Sequence, residues 1–396
     1  MSDLIVAPVL HLPHARRRAH VAFLARYWPI VLVIVAFVAL AVRYSVSTPL
    51  FEAPGEPAYV ERVLAVARGA GMESADLADS PLGQQAVRQP PLYYALGGLL
   101  TYSVDVPKDV PLYEPNPYSA LGTPGSPANK NAVLHLGGEG FPYRGVSLAV
   151  HLLRWFSVLA AAVAVALTYG IALEIVPGRR ALAAGAAAFA AFNPQFLFIG
   201  AAATVDALAV LWMTAAVYVA LRLANDRGSG DASAALLGAL VGLAMLTRVW
   251  GLVALALIPA AGLARVRSWN TRHVLAEALR PAAIGLVVAL AIAGWWYVRD
   301  IAQHGNLAGL VFFGEESRRF TLSDLWSAAG SLVLSYWGVF GWMNVLADET
   351  YYSLVRILTM LGVLGMVPAL AWVYWRHRTF RPYRWRAALV LGAWPV

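Results

Sequence analysis

Residues 27–46, YWPIVLVIVAFVALAVRYSV, are twenty positions carrying one charge. A run of that length and polarity is what a helix needs to cross a hydrocarbon core of about 30 Å. Comparable runs recur at 147–175, 180–200, 206–223, 233–247, 249–264, 281–298 and 352–375, and another begins near 386. The pattern predicts an all-α polytopic membrane protein with about nine spans. The sequence stops at LGAWPV inside the last run, which reads as a truncated C-terminus.

Composition narrows the function. Hydrophobic residues make up 60% of the chain and charged ones 13%, against about 25% charged in soluble domains. The absence of cysteine removes disulfides, thiolate catalysis and cysteine-ligated metals. A net charge of +8 fits a basic cytoplasmic membrane face and needs no nucleic-acid partner. The segment HARRRAHVAFLAR before the first run resembles the start of a signal peptide, but no clear small-residue cleavage site follows. It reads as a retained first helix preceded by a basic cytoplasmic segment, 1–26.

Arginine placement then orients the bundle. Arg16, Arg17, Arg18 and Arg26 precede the first span, Arg179 and Arg180 separate the second and third, and Arg222 and Arg227 follow the fourth. Arg265, Arg267, Arg272 and Arg280 separate the sixth and seventh, and Arg376, Arg378, Arg381, Arg384 and Arg386 follow the eighth. With the N-terminus inside, every group falls on the cytoplasmic side of an inner or plasma membrane. Within the membrane domain 27–396, segments 47–146 and 299–351 are left outside. Connections so long are usually functional or disordered. The first holds an amphipathic helix at 57–69, with Pro57 in its first turn and Val60, Val63, Leu64 and Ala67 on one face. It also holds a short apolar helix at 89–104 suited to the interface. Seven prolines make 105–143 an irregular loop. GALVG, 238–242, permits close helix packing.

Charges gather at the outer boundary. Glu52 and Glu56 emerge just past the first span, Asp206 lies where the third span turns into the fourth, and Arg248 sits at the tip between the fifth and sixth. Arg299 and Asp300 lie past the seventh, beside Trp295 and Trp296. Each has a plainer reading. Asp206 suits a helix N-terminus, Arg248 a snorkelling anchor, Trp295 and Trp296 an aromatic belt, Glu56 a helix dipole, and Glu52 a solvated loop. Their shared side gives them joint weight. A carboxylate beside a cation at a membrane surface suits transfer from a lipid-linked phosphate, one group taking a hydroxyl proton and the other holding the phosphate. No acidic metal-binding cluster or glycine-rich phosphate loop stands on the inner side, so neither metal nor cofactor is expected.

The stretches FEAPGEPAYV (51–60), QPPLYYAL (89–96), NPQFLFIGAAATVDALA (193–209), GLAMLTRVWGL (242–252), GWWYVRDIAQHGN (294–306) and SYWGVFGWMN (335–344) resemble those of GT-C glycosyltransferases. The group is that of bacterial protein mannosyltransferases and aminoarabinose transferases, and the chain looks nearest to the branch called DUF2142. The resemblance implies a GT-C bundle, a catalytic carboxylate in the first outer loop, a polyprenyl-phosphate sugar donor and reaction on the extracytoplasmic face. Where the family carries an Asp-Glu pair, this chain has Gly55 and Glu56; where a nearby His is usual it has Tyr59. The turn between the third and fourth spans keeps Asp206 after Val205, and Arg248 stands where Lys is common. The resemblance therefore implies catalytic roles for Glu56, Glu52 and Asp206, and substrate contacts for Arg248, Arg299, Tyr59, Trp295 and Trp296, with the acceptor unspecified. Two other readings stay in view: a relative that binds a lipid-linked phosphate or a partner without chemistry, motivated by Gly55, and a transporter or flippase. The last would favour internal repeats and midplane charges, which the sequence does not display.

Overall fold

The computed structural model describes residues 13–69, 89–107, 111–124, 126–135, 137–225, 227, 230–266, 271–305, 322–376 and 390–391. Arg267, Arg378, Arg381, Arg384, Arg386 and most of the expected last span lie outside these.

Long apolar runs become long helices. Helix α1, Pro13–Ser47, continues the basic segment into the first span. Helix α4 is Gly145–Ile175, α7 is Val205–Ala224, α8 is Gly230–Thr247 and α11 is Arg280–His304. Among the described residues five helices are long and apolar enough to cross a membrane, or six if one bent pair counts as a span. The count of nine is therefore not reproduced. The bent pair replaces the expected span 180–200. Helix α5, Arg180–Ala191, breaks by 66° from α6, Pro194–Gly200. Pro194 supplies no N–H and disfavours a helical Asn193; the Asn193 side chain instead accepts from Phe196 N at 3.0 Å and caps α6. The expected span 249–264 is one short apolar helix that begins as a 3₁₀ segment, Val249–Ala256, and continues as α9, Leu257–Arg265. A short α10, Thr271–Val274, and a π turn, Leu275–Leu279, lead into α11. Helix α12, Leu322–Gly338, a hairpin of β1, Val339–Phe340, and β2, Val345–Leu346, and α13, Glu349–Arg376, complete the described chain.

Helix association in lipid rests on close packing and hydrogen bonds, because lipid tails are as apolar as leucine. Gly238 meets this demand: a Cβ there would lie 2.2 Å from the Gly285 carbonyl oxygen, so α8 and α11 touch backbone to backbone. The outward faces stay apolar, with Leu32 and Val35 on α1, Leu159 on α4 and Val287 on α11 all exposed, as a lipid-facing surface requires.

The long connection after α1 packs into a core that it shares with α4 and α7. Helix α2, Glu56–Ala67, buries Val60, Val63 and Leu64 against α3, Leu92–Thr101. The two approach closely because α3 presents Gly97, where a Cβ would meet Val63 Cγ2 at 2.8 Å. Fully burying a valine-sized side chain away from water contributes about 1.5–3 kcal/mol. This unit meets the second long connection. Gly122 N donates to Trp342 O at 2.8 Å and Asn344 Nδ2 to Lys130 O at 3.0 Å, so the described residues of the first connection and 339–346 share one end of the bundle. At the opposite ends of α4 and α7, Arg227 pairs with Glu174 at 3.2 Å, and Arg280 pairs with Asp231 at 2.5 Å.

Candidate functional site

Glu56 opens α2 directly after Gly55, whose φ of +77° is the left-handed conformation that glycine adopts without penalty. That turn points the Glu56 carboxylate inward, where it is wholly buried. Arg154 meets it from the interior of α4 with two parallel bonds, Nε to Oε1 at 2.8 Å and Nη2 to Oε2 at 2.7 Å. Ala203 N and Phe51 N donate to the same two oxygens at 2.8 and 2.9 Å. Arg154 directs its remaining donors to the carbonyls of Ser45 and Thr48 at 2.7 Å and Pro49 at 2.8 Å. Every N–H of the guanidinium is thus used, and each carboxylate oxygen takes two bonds. This pair ties together the end of α1, the turn into α2, α4 and the link between α6 and α7. Its geometry is that of a structural clasp, with no acceptor position turned toward a substrate. Glu56, a candidate catalytic carboxylate from the resemblance, is thus buried and engaged by four donors.

Glu52 is also turned inward. It accepts from Ala132 N at 2.9 Å and Val133 N at 3.2 Å, and from the His135 ring at 3.0 Å. The other ring nitrogen of His135 contacts Glu139 at 3.0 Å. Burial alone would lower the His135 pKa, but the hydrogen bonds and charges of Glu139 and Glu52 outweigh it and raise it above 6.5. Immediately before Glu52 stands Phe51, whose φ of +66° is unusual for a residue with a Cβ. Such a conformation costs about 1–3 kcal/mol and persists only where its surroundings enforce it. Here Glu56 holds the Phe51 N–H, and the Trp342 indole donates to the Phe51 carbonyl at 2.9 Å.

Asp206 and Arg248 do come together, as an ion pair between the first turn of α7 and the turn after α8. Their side chains are 35% and 26% exposed, which sets them apart from the sealed Glu56–Arg154 pair. Arg248 is brought there by a tight reversal: Arg248 N donates to Ala244 O at 3.0 Å, and a Cβ on Gly251 would lie 2.4 Å from the Ala244 carbonyl carbon. Tyr94 on α3 lies in the field of both Arg248 and Arg62, and burial raises its phenol against that field. The Arg62 guanidinium stacks over the Tyr94 ring at 3.9 Å, and Tyr59 packs 6.4 Å from the same ring. Among the described residues the Tyr94 hydroxyl, the Thr204 hydroxyl and the Trp212 indole N–H are buried without a protein partner. Buried polar atoms in that state mark places for water or a polar ligand.

The tryptophans divide. Trp296 is buried with Arg299 stacked 5.0 Å over it, while Trp295 is half exposed and bonds back to Ile292 O at 2.9 Å. Tyr297 donates to Met245 O at 2.8 Å and anchors this patch one turn before Arg248. Asp300 is buried. Among the described residues no group of three His, Asp or Glu could hold a metal.

Arg154 escaped the sequence reading although it carried a signal, a lone arginine inside a 31-residue apolar helix. An ionisable group in such a place faces the protein interior and is paired. The contacts of His135 with Glu52 and of Trp342 with Phe51 carried none, because the partners are 83 and 291 residues apart.

Fold and site together define a polytopic helical membrane protein with a partly open acid–base pair at one end. The family profile described as dolichyl-phosphate-mannose-protein mannosyltransferase matches residues 143–305, a stretch that includes Arg154, Asp206, Arg248 and Arg299. No curated protein sequence matches the chain. Among solved structures, the Archaeoglobus fulgidus oligosaccharyltransferase tethered to an acceptor peptide aligns with a TM-score of 0.45 at 14% identity. That alignment covers 88% of this chain and 39% of the archaeal one, so the chain spans well under half of that enzyme's length.

Proposed function

We propose that this protein is a membrane glycosyltransferase of the GT-C class. It moves a sugar from a polyprenyl-phosphate donor to an acceptor, at the extracytoplasmic end where residues 47–146 and 339–346 meet. The observation that carries the reading is the partly exposed Asp206–Arg248 pair beside buried polar atoms that lack partners. The profile match over 143–305 supports the reaction class.

The roles follow from access. The donor phosphate displaces Asp206 from Arg248, because a guanidinium binds phosphate oxygens bidentately. Freed from its partner, Asp206 accepts the proton of the acceptor hydroxyl. The hydroxyl oxygen bonds to the anomeric carbon as the bond to the phosphate oxygen breaks, with inversion. The electron pair leaves on the phosphate, whose charge Arg248 stabilises. Arg299, Tyr59 and Trp295 are substrate contacts around the donor, with Trp296 backing Arg299 from beneath, Glu56 holds the scaffold through Arg154, and Glu52 holds the far end of the loop.

A second reading has its own support. Gly55 leaves no carboxylate at the family position and Glu56 is fully engaged, as in a relative that binds lipid phosphate without transfer. The full chain, offered a panel of polyprenyl-phosphate sugars, separates the two. Turnover lost in Asp206→Asn with donor binding kept supports transfer. Donor binding weakened by Arg248→Ala, with no turnover across the panel, supports the binding relative. Binding indifferent to Arg248→Ala removes both.

A further inference from the structure

A cavity of about 620 Å³ lies between residues 111–115, residues 133–134 and 137–139, and the start of α4, within the size range of small-molecule sites. Phe51 and Val146 contribute its apolar side, and Tyr113 adds an aromatic face 5.4 Å from the Phe51 ring. Glu114, Glu139 and Arg144 supply the charged groups.

Glu139 is fixed at two points. Its carboxylate is gripped by His135, which is itself braced by Glu52, and its carbonyl accepts from Ser147 Oγ at 2.8 Å. Yet the Glu139 side chain keeps 33% exposure on the cavity. A carboxylate so braced and still accessible is preorganised for a ligand.

The chemistry of the walls narrows the occupant. Segments 111–115 and 133–134 bond to one another, with Leu134 N donating to Glu114 O at 2.8 Å and Pro115 bridged to Val133. Recognition therefore falls on side chains and not on strand addition, the mode that suits an extended peptide. Glu114 and Glu139 share the walls with Arg144, and Glu139 is already engaged by His135, so the walls offer hydrogen-bonding groups of both charge signs. Carboxylates and a guanidinium beside an aromatic face suit a neutral molecule with many hydroxyls.

We propose that this cavity is a saccharide-binding site, taking the neutral, hydroxyl-rich end of a glycan acceptor. The word acceptor rests on the transfer reading; saccharide binding does not.

The test is ligand-detected saturation-transfer NMR on the full chain in lipid nanodiscs, with a panel of neutral methyl glycosides and disaccharides and no donor present. At least one sugar should bind. Glu139→Gln and Arg144→Ala should each lower that affinity tenfold or more, and Arg248→Ala should leave it unchanged. Arg144 is exposed, so its loss reads on binding apart from folding. No binding across the panel overturns the proposal, as does binding indifferent to both variants, or a short unglycosylated peptide bound through Glu139 where no sugar binds. A chain that binds sugar here but transfers nothing removes the transfer reading alone.

Discussion

Glu56→Gln separates a clasp from a catalytic base. The wild-type carboxylate faces four donors, two from Arg154 and one each from Phe51 and Ala203. Glutamine keeps the shape but offers one oxygen, which satisfies two of them. Its amide N–H groups then face the other two, and Arg154 stays buried beside a neutral partner. A stranded buried donor costs about 1–3 kcal/mol, and breaking a buried ion pair from one side costs about 3–5 kcal/mol. The two figures describe overlapping losses, so the expected total is about 3–5 kcal/mol. At about 1.4 kcal/mol per tenfold, the clasp opens some two to three and a half orders of magnitude more often. Amide hydrogen exchange in nanodiscs reads this directly. The Phe51 and Ala203 amides, both bound to Glu56, should exchange faster by that factor, while amides in the middle of α8 stay protected. Exchange at both positions unchanged in the variant would refute the argument. If exchange were unchanged and sugar transfer were nonetheless abolished, Glu56 would be the base after all.

Four further expectations follow. The raised His135 pKa means that its bridge between Glu52 and Glu139 stabilises the loop fully below about pH 6.5 and loses that contribution as pH rises through the higher folded value. Exchange at Ala132 and Val133 should therefore quicken on the alkaline side, and His135→Gln should flatten the profile. Gly238→Ala places a methyl 2.2 Å from a backbone oxygen that cannot step aside, so equilibrium unfolding should show a loss of about 1–3 kcal/mol. Trp342→Phe removes the indole N–H, worth about 1 kcal/mol; the Phe51 amide should exchange about fivefold faster while Gly122, which bonds to the Trp342 backbone, is unaffected. Gly55→Asp sets a Cβ 2.9 Å from Tyr59 Cε2 at a φ of +77° and should cost about 1 kcal/mol with no gain of sugar transfer, whereas a gain would hand the base role to that position.

The helices were legible because their information is local. Residues 57–69 announced α2 by period and by Pro57, and the structure sets it at Glu56–Ala67. GALVG announced a close crossing, realised at Gly238 against Gly285. The pairing of Asp206 with Arg248 could be approached because topology alone puts the two tips at one level. The break at Asn193–Pro194 was written in the sequence but outweighed by the hydropathy around it. What stayed hidden was the use of the acidic groups. Glu52 and Glu56 look alike four residues apart, yet one closes on backbone amides 80 and 81 residues away and the other on an arginine 98 residues away. No periodicity encodes such a choice. It is settled by which side chain the turn at Phe51 and Gly55 aims inward.

The bond from Trp342 to Phe51 joins residues 291 positions apart, and that separation is also an interval of time. At about 5–20 residues per second of synthesis, the ribosome delivers Trp342 some 15–60 s after Phe51. Through that interval α1 and α4 can already lodge in the bilayer and Arg154 can find Glu56, but the carbonyl of Phe51 waits. The turn that shapes this end of the molecule is completed only when a residue 291 positions later arrives. A nascent chain arrested before residue 339 should carry an inserted bundle whose first loop is still cut readily by protease, and release of the remaining chain should end that sensitivity.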